Sequence, residues 1–540
     1  MFGNKKELEK EKRTKQEQEQ EREKKKTKEQ EKEKKKKKEQ DQKQEQEKEK
    51  EKEKEQEQEQ EQELTSIVGF GSNIYFGIQA EADHKKKFSG IQQNFTKEYV
   101  AKATIEIPNY VDKMKNGNLE EKYKATQQIR ILLSVEKDPP IENILKCEGI
   151  FTTLDQFLDL DEKQELQFEA LWCISNILAG STEDVKRVIE AGSLPKLIKF
   201  LDSSKNALQE QCICAIGNIA GDCAELRDRV LEHEVIPKLI ETLKSNTTTR
   251  IISCTLWTLS NIFRFEPQPK ISEIMILMDL LCDHLNNEST DIAQEACWLL
   301  FDLTRYDQNN IEHIMKTDIC KKMAELLNHP LKAISVPTIR FFGNVVTGTT
   351  EQTQEAINSG ILPTLYKLFQ KRDQNQRKEI CWTLSNICSG TVEQIQEVID
   401  NNFIPLMFEV IEKDSYPVQK EVYYLFSNII VMGNPQQMNY LIMNRAIEIL
   451  FNALTSDDAK IIIASLESLL KILKVGDIIV ETFNKPVNPY FTHFNELGGI
   501  DIIGILRRNH NESVEKISKY IMDKFFPDFE SNLSDNEEDF

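Results

Sequence analysis

The sequence predicts an all-α solenoid of about ten three-helix repeats flanked by charged tails. Two observations carry this expectation. A seven- or eight-residue apolar motif recurs about every 42 residues, and between its recurrences stands a second apolar segment entered through Gly and Pro. A third observation limits the array: residues 1–64 are almost wholly Lys, Glu and Gln, so no core can form there.

The N-terminal tail, 1–64, holds 22 basic and 22 acidic residues, so the formal net charge of -20 falls wholly on residues 65–540. Residues 65–105 read as a linker. From 106 to 527 the repeats take over, the first over 119–150 with LEEKYKATQQIRILL. The motif then runs LWCISNI, CICAIGNI, LWTLSNI, CWLLFDL, TIRFFGNV, CWTLSNI and VYYLFSNI. Aligned on Asn176, Asn218, Asn261, Asp302, Asn344, Asn386 and Asn428, its separations are 42, 43, 41, 42, 42 and 42. A period of that size belongs to armadillo or HEAT repeats. The intervening segments AGSLPKLIKFL, HEVIPKLIETL, SGILPTLYKLF and NNFIPLMFEVI each place Pro in a first helical turn, where its missing N–H has no partner to lose. Each repeat therefore reads as a short helix, a Pro-started helix and a long third helix, the armadillo layout. Residues 439–475 and 495–527 add two repeats after the last Asn, and 528–540 is an acidic tail. Stacked in this way, the repeats form a right-handed superhelical solenoid whose third helices line one concave face.

Composition excludes several function classes. So acidic a chain is a poor partner for nucleic acid, whose binding rests on Lys and Arg, and a good one for cationic peptides. No run of 18 apolar residues predicts a membrane span, and no apolar core near the N-terminus predicts a signal peptide, so an intracellular protein is expected. The 11 cysteines sit at apolar helical positions such as Cys173, Cys254, Cys297 and Cys381, as reduced core thiols do. Cys212 and Cys214 lack a second Cys or His pair, so no metal is expected. No phosphate loop, HExxH or nucleophile elbow suggests an enzyme or a cofactor.

The motif itself points to peptide binding. Trp172 and Asn176 are four apart, on one helix face. An Asn amide offers an acceptor and donors, so it can hold the N–H and C=O of an extended chain whatever its side chains. Facing helices about 8–10 Å apart match two to three residues of extended chain at about 3.3 Å each. The four Trp residues, Trp172, Trp257, Trp298 and Trp382, form slots in which a Lys stem packs with its ammonium near a ring, worth about 0.5–2 kcal/mol each. Apolar residues at helical spacing are usually core, and one such motif says little. Seven in register say more, because an interior disfavours Asn unless its amide has a partner. On this reading Asn218→Ala or Asn386→Ala weakens peptide binding and hardly changes stability.

The blocks KATQQIRILLSVEKDPPIENIL, EQCICAIGNIAGD, TLWTLSNIFR, IRFFGNVVTGTTEQTQEAINSGILP and KEICWTLSNICSGTVEQIQEVID resemble the importin alpha (karyopherin alpha) family over about residues 106–527. The resemblance implies an adaptor that binds classical basic nuclear-localisation signals, links them to importin beta, and shuttles between cytoplasm and nucleus. It implies a major site at Trp172, Asn176, Gly180, Gln211, Asn218, Asp222, Trp257, Asn261, Arg264 and Glu295, with Asp222 pairing the key Lys and Glu295 standing where the family usually has Asp. It implies a minor site at Arg340, Asn344, Thr347, Gly348, Thr353, Glu379, Trp382, Ser385, Asn386, Glu421 and Asn428, with Arg340 in a Trp position separating the two. A catenin-like scaffold binding extended peptides without a transport role is the alternative; the carboxylates Asp222, Glu295, Glu379 and Glu421 disfavour its acidic partners.

Against the family pattern, Cys214 and Tyr424 replace Trp, and Val185 replaces Thr. The loss at Cys214 removes one wall of a Lys slot, so major-site specificity is expected to change and Cys214→Trp to restore affinity. At the N-terminus the family carries an Arg-rich segment that binds importin beta and folds back into the groove. Here Lys24–Lys26 and Lys34–Lys38 stand among Glu and Gln, as either a solvated tail or a degenerate form of that segment. The acidic 528–540 matches the tail that in the family helps engage a CAS-type export receptor.

Overall fold

The computed structural model describes residues 97–526 except 136, 137, 246, 247, 271, 273 and 372, and the elements among these are helices. The tails over 1–64 and 528–540 and most of the expected linker lie outside the described residues. The end of that linker segment is helical, Lys97–Ile105.

Among the described residues, ten inner helices carry the repeat motif or its equivalent: α1 (Leu119–Leu133), α2 (Gln164–Leu178), α3 (Asn206–Ala220), α4 (Thr249–Phe263), α5 (Thr290–Leu303), α6 (Lys332–Val345), α7 (Gln374–Cys388), α8 (Tyr416–Met432), α9 (Ala459–Phe483) and α10 (Glu512–Phe525). Two shorter helices typically precede each, as Thr182–Glu190 and Ser193–Lys199 precede α3.

Local chemistry sets these boundaries. First helices start with reciprocal caps in which Ser181 and Asp184, Thr349 and Gln352, Thr391 and Gln394, and Asn434 and Gln437 satisfy each other's backbone N–H groups. The turn into the second helix passes through a left-handed residue: Gly192 at φ 87°, Gly360 at φ 84° and Gly498 at φ 84°, with Asn402 at φ 61° in the corresponding place. Glycine adopts that conformation without the clash a Cβ would bring, which is why the Pro-started helix is entered through Gly. The short helices bury one stripe, as Thr182–Glu190 buries Asp184, Val185 and Val188. The inner helices are apolar almost all round: α4 buries every residue from Thr255 to Phe263. A helix of that kind must be enclosed, and each inner helix packs most extensively on its neighbours in the series.

Ion pairs tie successive repeats. Arg377 grips Asp414 with two bonds of 2.8 and 3.2 Å, and Lys196 holds Asp155 at 2.6 Å. The result is the expected armadillo-repeat solenoid, its core lying between neighbouring repeats. Among the described residues no helix is long and apolar enough to cross a membrane, and the cysteines are free thiols.

Candidate peptide groove

Stacking the inner helices brings the motif amides into one row. Asn218 Nδ2 donates to the Ser175 carbonyl at 3.1 Å, Asn261 Nδ2 to Gly217 at 3.0 Å, Asn344 Nδ2 to Phe301 at 3.2 Å, Asn386 Nδ2 to Gly343 at 3.1 Å and Asn428 Nδ2 to Ser385 at 2.8 Å. In every case the acceptor is the residue just before the preceding repeat's motif position. Asn176 begins the series by donating to the Ser134 hydroxyl at 2.9 Å. The amides thus have a partner in the neighbouring repeat, which corrects the expectation that they serve a ligand alone. One N–H of each is structural. The carbonyl ends differ: Asn176 Oδ1, Asn261 Oδ1 and, two turns before Asn218, Gln211 Oε1 are buried and accept no hydrogen bond from a described residue. A buried acceptor left over in this way requires a donor.

At Asp302 the series changes. A carboxylate cannot donate to a carbonyl, and instead the Ser260 hydroxyl donates to Asp302, which is also 3.7 Å from Arg305. Burial raises the Asp302 pKa, against the lowering effect of Arg264 and Arg305.

The Trp positions form a second row. Trp257 lies over Gly217 and Trp382 over Gly343, so closely that a Cβ on either glycine would stand 2.2 and 1.9 Å from the ring. Arg340 interrupts the row: its guanidinium lies 5.7 Å from the Trp298 ring centre and pairs with Glu379 at 3.1 Å. The same device occurs at the start, unforeseen from the sequence. Arg130 covers Trp172 at 4.5 Å and pairs with Glu169 at 2.8 Å. The signal was present, since Arg130 stands 42 residues before Trp172, in the Trp position of the first repeat. Cys214 presents no ring and is buried, its sulfur 3.3 Å from that of Cys254. Val185 is buried and apolar.

Acids flank the rows. Asp222 follows the end of α3, where Gly221 leaves room for the Asn261 amide. On α5, burial pushes Glu295 up to about 8; Asp291 and Asp302 add to the shift, while Gln294 and Arg264 oppose it. On α8, burial raises Glu421 to about 7. A cavity of about 770 Å3 opens among α4 to α7, lined by Trp257, Trp298, Asp291, Glu295, Arg340 and Glu379 among others.

Several of the expected residues act within their own repeat. Thr347 Oγ1 donates to the Asn344 carbonyl at 2.7 Å and Thr353 Oγ1 to Val346 at 3.3 Å. Gly180 and Gly348 lie against the capping side chains Asp184 and Gln352. Ser385 meets the next repeat instead, its Oγ accepting from Asn428 Nδ2 at 3.2 Å.

A family model described as Armadillo/beta-catenin-like repeat matches residues 349–389, and a HEAT-like repeat model matches residues 164–219. Importin subunit alpha-1b of Oryza sativa subsp. japonica is 31% identical over 417 residues, covering 77% of this chain and 78% of its own length. Importin subunit alpha-7 of Arabidopsis thaliana is 38% identical over 413 residues, with 75% and 78% covered. Importin subunit alpha-4 of the same plant is 30% identical over 444 residues, with 82% of each chain covered. The crystal structure of an engineered protein, 21% identical, superposes with a TM-score of 0.66 over 77% of this chain and 98% of its own, a likeness of fold alone. With relatives of that identity spanning most of both chains, and the repeat architecture they share, this chain is a non-enzymatic armadillo-repeat protein that belongs to the importin alpha family.

Proposed function

We propose that the chain is a nuclear-import adaptor whose inner helices grip the extended backbone of basic nuclear-localisation peptides, linking cargo to importin beta and shuttling between cytoplasm and nucleus. The carrying observation is the polarity of the amide row. Every Asn in it ties one N–H to the preceding repeat, and at Asn176 and Asn261 the carbonyl oxygen is left over as an acceptor for a peptide N–H. The major site comprises Trp172, Asn176, Gln211, Asn218, Asp222, Trp257, Asn261, Arg264 and Glu295; the minor site comprises Asn344, Glu379, Trp382, Asn386, Glu421 and Asn428, with Arg340 between them. The acidic charge beyond residue 64 selects cationic partners. A CAS-type export receptor would return the chain to the cytoplasm.

Fluorescence anisotropy tests the reading. A labelled Lys-rich peptide titrated with the full chain, and with the chain lacking residues 1–64, should bind with Kd on the order of micromolar or tighter, more weakly as salt rises above about 0.1 M, where screening sets in beyond about 10 Å. Binding to neither form, or binding of acidic peptides only, contradicts the adaptor function.

A further inference from the structure

We propose that Cys214 and Cys254 form a reversible disulfide joining α3 to α4, made when a hydroperoxide enters the cavity among α4 to α7 and meets Cys254. Nothing in this chemistry depends on what the groove binds.

The two helices meet in a fixed register. Glu210 and Cys214 are four apart on α3, and Arg250 and Cys254 are four apart on α4, so each pair shares a helix face. Those faces meet rung by rung: Arg250 pairs with Glu210, and one turn further the Cys214 S–H donates to the Cys254 sulfur at 3.3 Å. Close approach is possible because Gly217 has no side chain to hold off Trp257 and Thr258. Bonded sulfurs stand about 2.05 Å apart, so the gap to close is about 1.2 Å, shared between two side chains and two helices. Cys212, two residues from Cys214, turns elsewhere and donates to the Leu197 carbonyl at 2.6 Å.

The two sulfurs have different roles. Cys214 is fully buried, whereas Cys254 is 3% exposed and lines the cavity of about 770 Å3. Cys254 is also the acceptor of the S–H contact, and Arg250, in the same cavity wall, acts on the charge of both sulfurs. Burial pushes the Cys214 thiol well above its ordinary range; Cys254 and Glu210 add to the shift and Arg250 opposes it, so Cys214 waits as a thiol. Oxidation therefore starts at Cys254. Its thiolate attacks one oxygen of hydrogen peroxide, the O–O bond breaks, and the departing oxygen leaves as water with the proton the thiol gave up. Cys254 is then a sulfenic acid. The Cys214 sulfur attacks the Cys254 sulfur, the S–O bond breaks, and the hydroxide takes the Cys214 proton as a second water. Two thiols have given two electrons to the peroxide. The bond links residues 40 apart and fastens the helix of Asn218 to that of Asn261. Attack by a small thiol on Cys254, from the cavity side, reopens it.

The test uses the full chain, reduced and then exposed to hydrogen peroxide. Remaining thiols are alkylated under denaturing conditions, and peptides are mapped by mass spectrometry without reduction. Wild type should yield a peptide pair linked through Cys214 and Cys254 that dithiothreitol separates. The linked chain should melt at least about 2 °C above the reduced one, as for a cross-link that constrains the unfolded chain. Cys214→Ser should lose the linked pair and the rise, and dimedone should now mark Cys254, whose sulfenic acid has no thiol to resolve it; Cys214→Ala carries the same expectation should the serine variant fail to fold. Both thiols fully alkylated after peroxide has oxidised the less buried Cys147, or a link to Cys254 that persists without Cys214, overturns the disulfide. A linked chain that melts no higher overturns its fit to the packed helices, and dimedone on Cys214 in Cys254→Ser overturns the order of attack.

Discussion

Asn218 joins two repeats and, on the proposed function, touches cargo as well. Removing its amide leaves the Ser175 carbonyl without the 3.1 Å bond it accepts inside the array. That carbonyl keeps the bond it accepts from the Ala179 N–H at 3.2 Å, so the loss is that of one hydrogen bond, about 0.5–1.5 kcal/mol. Asn218→Ala should therefore lower the melting temperature of the unliganded chain in addition to weakening peptide binding, which reverses the expectation from sequence that stability would hardly change. Circular dichroism melting checks this; an unchanged melt would leave the amide to the ligand alone. Glu295 gives the second residue-scale prediction. With its pKa near 8 it is largely protonated at pH 7, and a lysine beside it favours the carboxylate, so binding expels a proton. Affinity should then rise as pH goes from about 6 to about 9 and level off above, with a flatter profile in Glu295→Gln. Asp291, Asp302 and Arg264 face the same group, so the isosteric variant is the needed control. For stability the sign is opposite. A folded-state pKa raised from 4.5 to about 8 contributes stability below 4.5 that is lost as pH rises through 8.

At the scale of the helix, glycine decides whether a tryptophan can lie on the neighbouring repeat. Gly217 and Gly343 occupy the position just before Asn218 and Asn344, facing Trp257 and Trp382. Gly343→Ala places a methyl where the Trp382 ring stands, 1.9 Å from its nearest atom. The ring must move or α6 and α7 must part, a cost of about 1–3 kcal/mol for overpacking. The variant should melt earlier, shift the tryptophan emission, and bind minor-site peptides less well. An unaltered spectrum and melt would mean the ring has room to move away. Where the ring is replaced by arginine, as at Arg130 and Arg340, the helices use the position differently: a guanidinium lies on a neighbouring indole and pairs with Glu169 or Glu379.

For the whole molecule, stacking confines each effect to its neighbours. Each inner helix packs mainly on the one before and the one after, so substitutions several repeats apart should act almost independently. The same architecture spreads a net charge of -20 over the part of the chain beyond residue 64. Long-range attraction then favours approach of any cationic segment, and the rows of amides, rings and acids decide where it stops.

The repeat, its three helices, the ten inner helices and the family were all legible in the sequence, because a 42-residue period with Gly, Pro and Asn in fixed places is a one-dimensional signal. Arg340 was legible too as a cation in a Trp position, which is visible without coordinates. Three things needed the packed molecule. The motif amides hydrogen-bond the preceding repeat, Arg130 covers Trp172, and Cys214 turns to Cys254. Each depends on which side chains of adjacent helices meet, and that is set by how the inner helices pack against one another, a relation between repeats that no single repeat's sequence contains.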